Sequence, residues 1–132
     1  MKVLIIKTND TVKAVRIMAQ WNNEITFSDL RKLVSSHAEI IYAAKISRLA
    51  FIYVLFVEKD ANVRPVNMIA TLLSGNTERP ILGDVVLVRT GHLGAGAKMF
   101  ALEDDEIAKI GERISKLLGK KVVISDDTSP KR

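Results

Sequence analysis

The sequence predicts an α+β fold: one small domain with a mixed β-sheet and helices mainly on one face. Three observations carry that expectation. Residues 49–57 form an unbroken apolar run, rich in β-branched and aromatic side chains. The run is short for a helix, and its composition suits a strand covered on both faces. Near the start, Val3-Leu4-Ile5-Ile6 and Val12-Lys13-Ala14-Val15-Arg16-Ile17 flank Thr8-Asn9-Asp10-Thr11. Asn and Asp tolerate left-handed backbone, so these runs read as a hairpin. Towards the end, Ile107, Ile110, Ile114, Leu117 and Leu118 make one apolar stripe at helical spacing. The expected order is β-β-α-β-β-α-β-α with an optional last strand, the pattern of helices packed on a sheet.

Each element has its own signal. The second strand alternates, with Val12 and Ala14 on one face and Val15 and Ile17 on the other, until Trp21-Asn22-Asn23 breaks the pattern. Thr26 or Ser28 can cap a short helix carrying Phe27, Leu30, Leu33 and Val34, with Asp29 in its first turn. Residues 38–44 read as a strand leading into the 49–57 run, which sits at the centre of the expected sheet and is closed by Glu58-Lys59-Asp60-Ala61-Asn62. Pro65 keeps its predecessor extended, and Asn67 caps a helix over 68–73 that Ser74-Gly75-Asn76 stops. Val85-Val86-Leu87-Val88 is a second buried strand. Glu103-Asp104-Asp105-Glu106 crowd the N-terminus of the last helix, where the dipole favours carboxylates, and Gly119 ends it. Residues 120–125 are an optional edge strand; the domain is expected over 1–125, with 126–132 a disordered tail. The expected core contains Ile5, Leu33, Ile41, Phe51, Tyr53, Leu55, Leu72, Val86, Leu87, Ile110, Ile114 and Leu117.

Composition narrows the function classes. A chain of 132 residues is one domain of ordinary size. Without cysteine it has neither disulfides nor a thiolate nucleophile or zinc site. The opening apolar segment is too short for a signal peptide, and the longest apolar run falls below the ~18–20 residues that cross a bilayer. These features predict a cytoplasmic protein without membrane contact. The net charge of +5 is uneven: residues 1–48 carry eight basic and four acidic side chains. Lys13, Arg16, Arg31 and Lys32 are therefore candidates for weak nucleic-acid binding, although a solvated surface explains the same charge.

No constellation of residues specifies catalysis. Gly91, His92, Gly94 and Gly96 make a loop whose backbone N–H groups suit a phosphate, the nucleotide-binding or nucleotide-processing alternative. It matches neither the dinucleotide fingerprint nor the P-loop, and a mobile connector is the simpler explanation. His92 and His37, the two histidines, lack a carboxylate or a second histidine at ligand spacing. The expectation is a protein that is not an enzyme and needs no cofactor or metal. Instead, apolar residues gather where surface is expected: Met18, Trp21 and Phe27 at the hairpin–helix corner, Met99 and Phe100 beside the glycine-rich loop. Such clusters anchor protein interfaces when exposed and are ordinary core when not. A protein partner or a homodimer is the expectation they support, and the 122–124 strand edge is a second route to either.

Pro65-Val66-Asn67-Met68-Ile69-Ala70, Ile81-Leu82-Gly83-Asp84-Val85-Val86-Leu87-Val88 and Phe100-Ala101-Leu102-Glu103-Asp104-Asp105-Glu106-Ile107 follow one another across variable loops. In that order they resemble an uncharacterised family of small domains encoded by tailed phages, plasmids and other mobile elements. The resemblance covers roughly residues 1–118. It implies the fold order above and a regulatory or host-interaction role, and it supplies no catalytic residue.

Overall fold

Val3, Leu4, Ile5 and Ile6, then Val12, Ala14, Val15 and Ile17, are all buried, whichever way each side chain points. A hairpin apolar on both faces needs a covering layer on each. The computed structural model supplies both, and it describes residues 2–17, 24–34, 41–45, 53–58, 64–75, 78–90 and 99–131. Among these, β1 (Lys2–Ile6), β2 (Val12–Ile17), β3 (Glu24–Ile25), α1 (Phe27–Val34), β4 (Ile41–Lys45), β5 (Tyr53–Glu58), α2 (Met68–Ser74), β6 (Val85–Thr90), β7 (Met99–Phe100), α3 (Asp104–Leu118) and β8 (Ile124–Lys131) follow in order.

All eight strands join one mixed sheet. Its main path runs β4-β5-β6-β1-β2-β8, antiparallel at each step except the parallel pairing of β2 with β8. Strand β6 is long enough to use one edge twice: Val85–Leu87 face β1, while Arg89 and Thr90 face β7, which carries β3 in turn. The β1–β2 turn is closed by Lys7 N–H donating to Thr11 O at 2.9 Å and Asp10 N–H to Lys7 O at 3.2 Å. Asp10 takes φ of 65°, the left-handed position that the Asn-Asp pair predicts.

One face presents Leu4, Ile6, Val12, Ala14, Val85 and Leu87 to Ile69, Ala70 and Leu73 of α2 and to Ile107, Ile110 and Ile114 of α3. The other presents Val3, Ile5, Val15, Ile17, Val86 and Val88 to Leu30 of α1, with Ile25 beside it. Helices therefore lie mainly on one face, two against one. Thr26 caps α1: its Oγ1 accepts from Asp29 N–H and its carbonyl from Leu30 N–H.

Asn67 is wholly buried and caps α2 as the sequence predicts, its Oδ1 accepting from Ala70 N–H at 3.0 Å. Its Nδ2 also donates to Ile6 O and Gly83 O, both at 2.9 Å, tying the helix to β1 and to the entry of β6. Thr71 continues the network, accepting from Ile81 N–H and donating to Asn67 O. Gly75 ends the helix at φ of 77°.

Two expectations are revised. The apolar run at 49–57 is placed at the sheet's centre by sequence, yet β5 begins at Tyr53 and lies one strand in from the β4 edge. β5 pairs with β4 on one side and β6 on the other, and β1 and β6 hold the centre. Residues 126–131, expected as a tail, form most of β8 and pair with β2, with a shift of register between Val15 and Ile17. Main-chain pairing holds that stretch, so its polar sequence gives no strand signal. Met99 and Phe100, which directly follow residues 91–98, form β7. Of the expected core, Ile5, Val86, Leu87, Ile110 and Ile114 are buried, while Leu33, Leu72 and Leu117 are half-buried. Ile41 lies on β4, Tyr53 and Leu55 lie on β5, and Phe51 lies outside the described residues.

Candidate functional site

Helix α3 is the element most able to stand by itself. Its fifteen residues begin with a capping interaction in which Glu106 Oε1 accepts from Glu103 N–H at 2.9 Å. Asp104, Asp105 and Glu106 occupy the positive end of the dipole, and Lys116 lies in the last turn. Gly119 then takes φ of 70° and reverses the chain. The segment after it returns along the helix's own flank, where Val122 N–H donates to Ser115 Oγ at 2.9 Å. Gly111 permits this close return: a Cβ there would meet Ile124 Cδ1 at 2.9 Å.

An open groove of about 750 Å³ runs between α3 and this returning segment. Ile107, Ala108, Gly111, Val122 and Ile124 supply its apolar floor. Its two ends differ in charge: Asp104 lies at one, and Lys116, Lys120 and Lys121 at the other. At the acidic end, Lys2 Nζ sits 2.8 Å from Asp126 Oδ2 and 3.4 Å from Asp104 Oδ1. The hydrogen bond that Lys2 Nζ donates to Asp126, with the nearby Asp104 charge, raises the Lys2 pKa above its ordinary value. Asp126 also relieves a like-charge contact, because Lys2 stands directly opposite Arg16 across the β1–β2 ladder. Val123, between two groove residues, is 74% exposed, and Val66 and Met68 at the α2 entry are about half exposed.

The other candidates are distributed as follows. Met18, Trp21, His37, Gly91, His92, Gly94 and Gly96 lie outside the described residues. Phe27 and Arg31 belong to α1. Met99 is half-buried against the α1-side core, where Ile17 and Ile25 are fully enclosed. Phe100 lies under the Arg89 guanidinium, 5.7 Å from its ring centroid. Arg89 Nε is 3.9 Å from Glu106 Oε1, beyond hydrogen-bond reach. Lys13 and Arg16 alternate to opposite faces of β2, Lys13 on the α1 side, and Lys32 is exposed on α1. Among the described residues, no three His, Asp or Glu side chains converge as a metal site, and no helix is long and apolar enough to cross a membrane.

Sequence reading identified α3, its acidic N-terminus and its stop at Gly119 but missed the groove. Its signals were present: Gly111 in mid-helix, where glycine costs ~1 kcal/mol against alanine, and the Lys120-Lys121-Val122 return after Gly119. Comparison with known proteins adds no relative: no family model, no curated protein and no solved structure matches the chain.

Proposed function

We propose that this is a non-enzymatic regulatory or host-interaction protein of a mobile element, acting in the cytoplasm by holding a protein partner in the α3 groove. The observation that carries the reading is the groove itself: an apolar floor open to solvent, with opposite charges at its ends. Apolar floors exclude water and supply affinity, while charged rims fix orientation and suppress wrong partners. The mobile-element part rests on the resemblance carried by the segments around Asn67, Gly83-Asp84 and Glu103–Glu106.

Ala108→Arg tests the groove because it fills the floor from an exposed helical position. Tagged wild-type and Ala108→Arg proteins are recovered from a native host under identical conditions, after thermal melts show that both fold. A protein retained by wild type and lost by the variant supports the reading. Equal recovery by both, or recovery of neither, overturns it. Turnover of a nucleotide dependent on His92 would replace it with the nucleotide-processing alternative, and groove-independent, steeply salt-sensitive binding of nucleic acid would replace it with the second.

A further inference from the structure

The charge pattern along the groove selects its occupant. Glu103, Asp104 and Asp105 are exposed at one end of α3, and Lys116, Lys120 and Lys121 are exposed at the other. An occupant that satisfies both ends must carry basic residues where α3 is acidic and acidic residues where it is basic. An antiparallel copy of α3 does that at both ends at once.

We infer that the groove seats α3 of a second copy of this chain, in a twofold-symmetric antiparallel pair centred near Gly111. This deepens the partner-binding reading and rests on it. A twofold interface uses one patch twice, so a single patch must be complementary to itself after rotation. Residues 104–119 span ~22 Å at 1.5 Å rise per residue. Antiparallel overlap of that length brings Asp104 of one copy towards Lys116 and Lys120 of the other, twice over. At the centre Ala108 is exposed on α3, and its small side chain lets a second helix approach beside Ile124, which covers Gly111. Glu112 faces its own symmetry mate near the axis, a like-charge contact that keeps the pair reversible.

Charge reversal and its rescue provide the test. Asp104→Lys puts a base at both ends of the groove, and Lys116→Glu with Lys120→Glu puts acid at both. Each variant should weaken self-association at least tenfold in sedimentation velocity at low salt. An equimolar mixture of the two should associate again, because each mixed end regains an opposite charge. All altered positions are exposed, and circular dichroism melts establish that the variants remain folded. A wild-type chain that stays monomeric across the concentration range, or a mixture no better than its separate variants, overturns the inference. If wild type is monomeric while Ala108→Arg still loses a captured protein, the dimer fails and the groove reading stands. If neither self-association nor groove-dependent capture is seen, both fail.

Discussion

Helices α2 and α3 lie side by side on one face of the sheet and are stabilised in opposite ways. The seven residues of α2 are too few to hold a helix by propensity. They are held by a buried polar network: Asn67 bonds to two distant carbonyls and to the helix itself, and Thr71 bonds to Ile81 N–H. By contrast, α3 has fifteen residues, its own cap, charges matched to its dipole and a left-handed stop. A helix stable through local interactions can leave one flank uncovered; a helix made by its surroundings cannot. That difference explains why the groove follows α3.

The contrast is easiest to break at Asn67. Asn67→Ala removes the cap and leaves Ile6 O and Gly83 O without their donor in a site closed to water. Stranded buried groups cost ~1–3 kcal/mol each and a lost cap ~1, so a total loss of about 4 kcal/mol is expected. That is a large share of a small domain's stability and should be evident in urea denaturation. Retention of wild-type stability would show that α2 does not depend on the network.

A smaller effect is expected at the start of α3. Glu106→Ala removes the capping contact and the carboxylate near Arg89, and should cost about 1–2 kcal/mol by the same measurement. Amide exchange should show the loss confined to the first turn of α3. Loss of protection throughout α2 as well would contradict the independence assigned to the longer helix.

The smallest effect concerns the tether between β1 and β8. Because the folded state raises the Lys2 pKa, it holds that proton more tightly than the unfolded chain does. The stabilisation is therefore fully present below the ordinary value of 10.5 and fades as pH climbs through the higher folded value. Lys2→Met should lower the melting temperature slightly at pH 7, with the gap to wild type closing above pH 10.5. A gap that widens with alkalinity would reverse the assignment.

Much of the fold was legible because its signals are local. Asp10 in the turn, Asn67 as a cap, Gly75 and Gly119 as stops, and the apolar stripe of α3 each report a conformation within a few residues. What escaped depends on distant partners. The second role of Asn67, bonding to Ile6 O across the core, leaves no mark in the neighbouring sequence. Nor does the pairing of Asp126 and Asp127 with β2, where the backbone supplies the contact. The groove escaped for the same reason: it exists only once the chain beyond Gly119 has folded back on α3.

The parallel pairing of β2 with β8 also places a demand on biosynthesis. Ser125 reaches back to the Val12 carbonyl across 113 positions of chain. At ~5–20 residues per second, a ribosome takes roughly 6–20 seconds to cover that distance. Throughout that interval the open side of β2 has no neighbour, and Val12 and Ala14 await the completion of the α2–α3 layer that encloses them. An unpaired strand of that composition is the kind of edge on which nascent chains aggregate. Elongation speed over the last third of the message, and chaperone attendance during it, therefore bear directly on how much of this protein reaches its folded form.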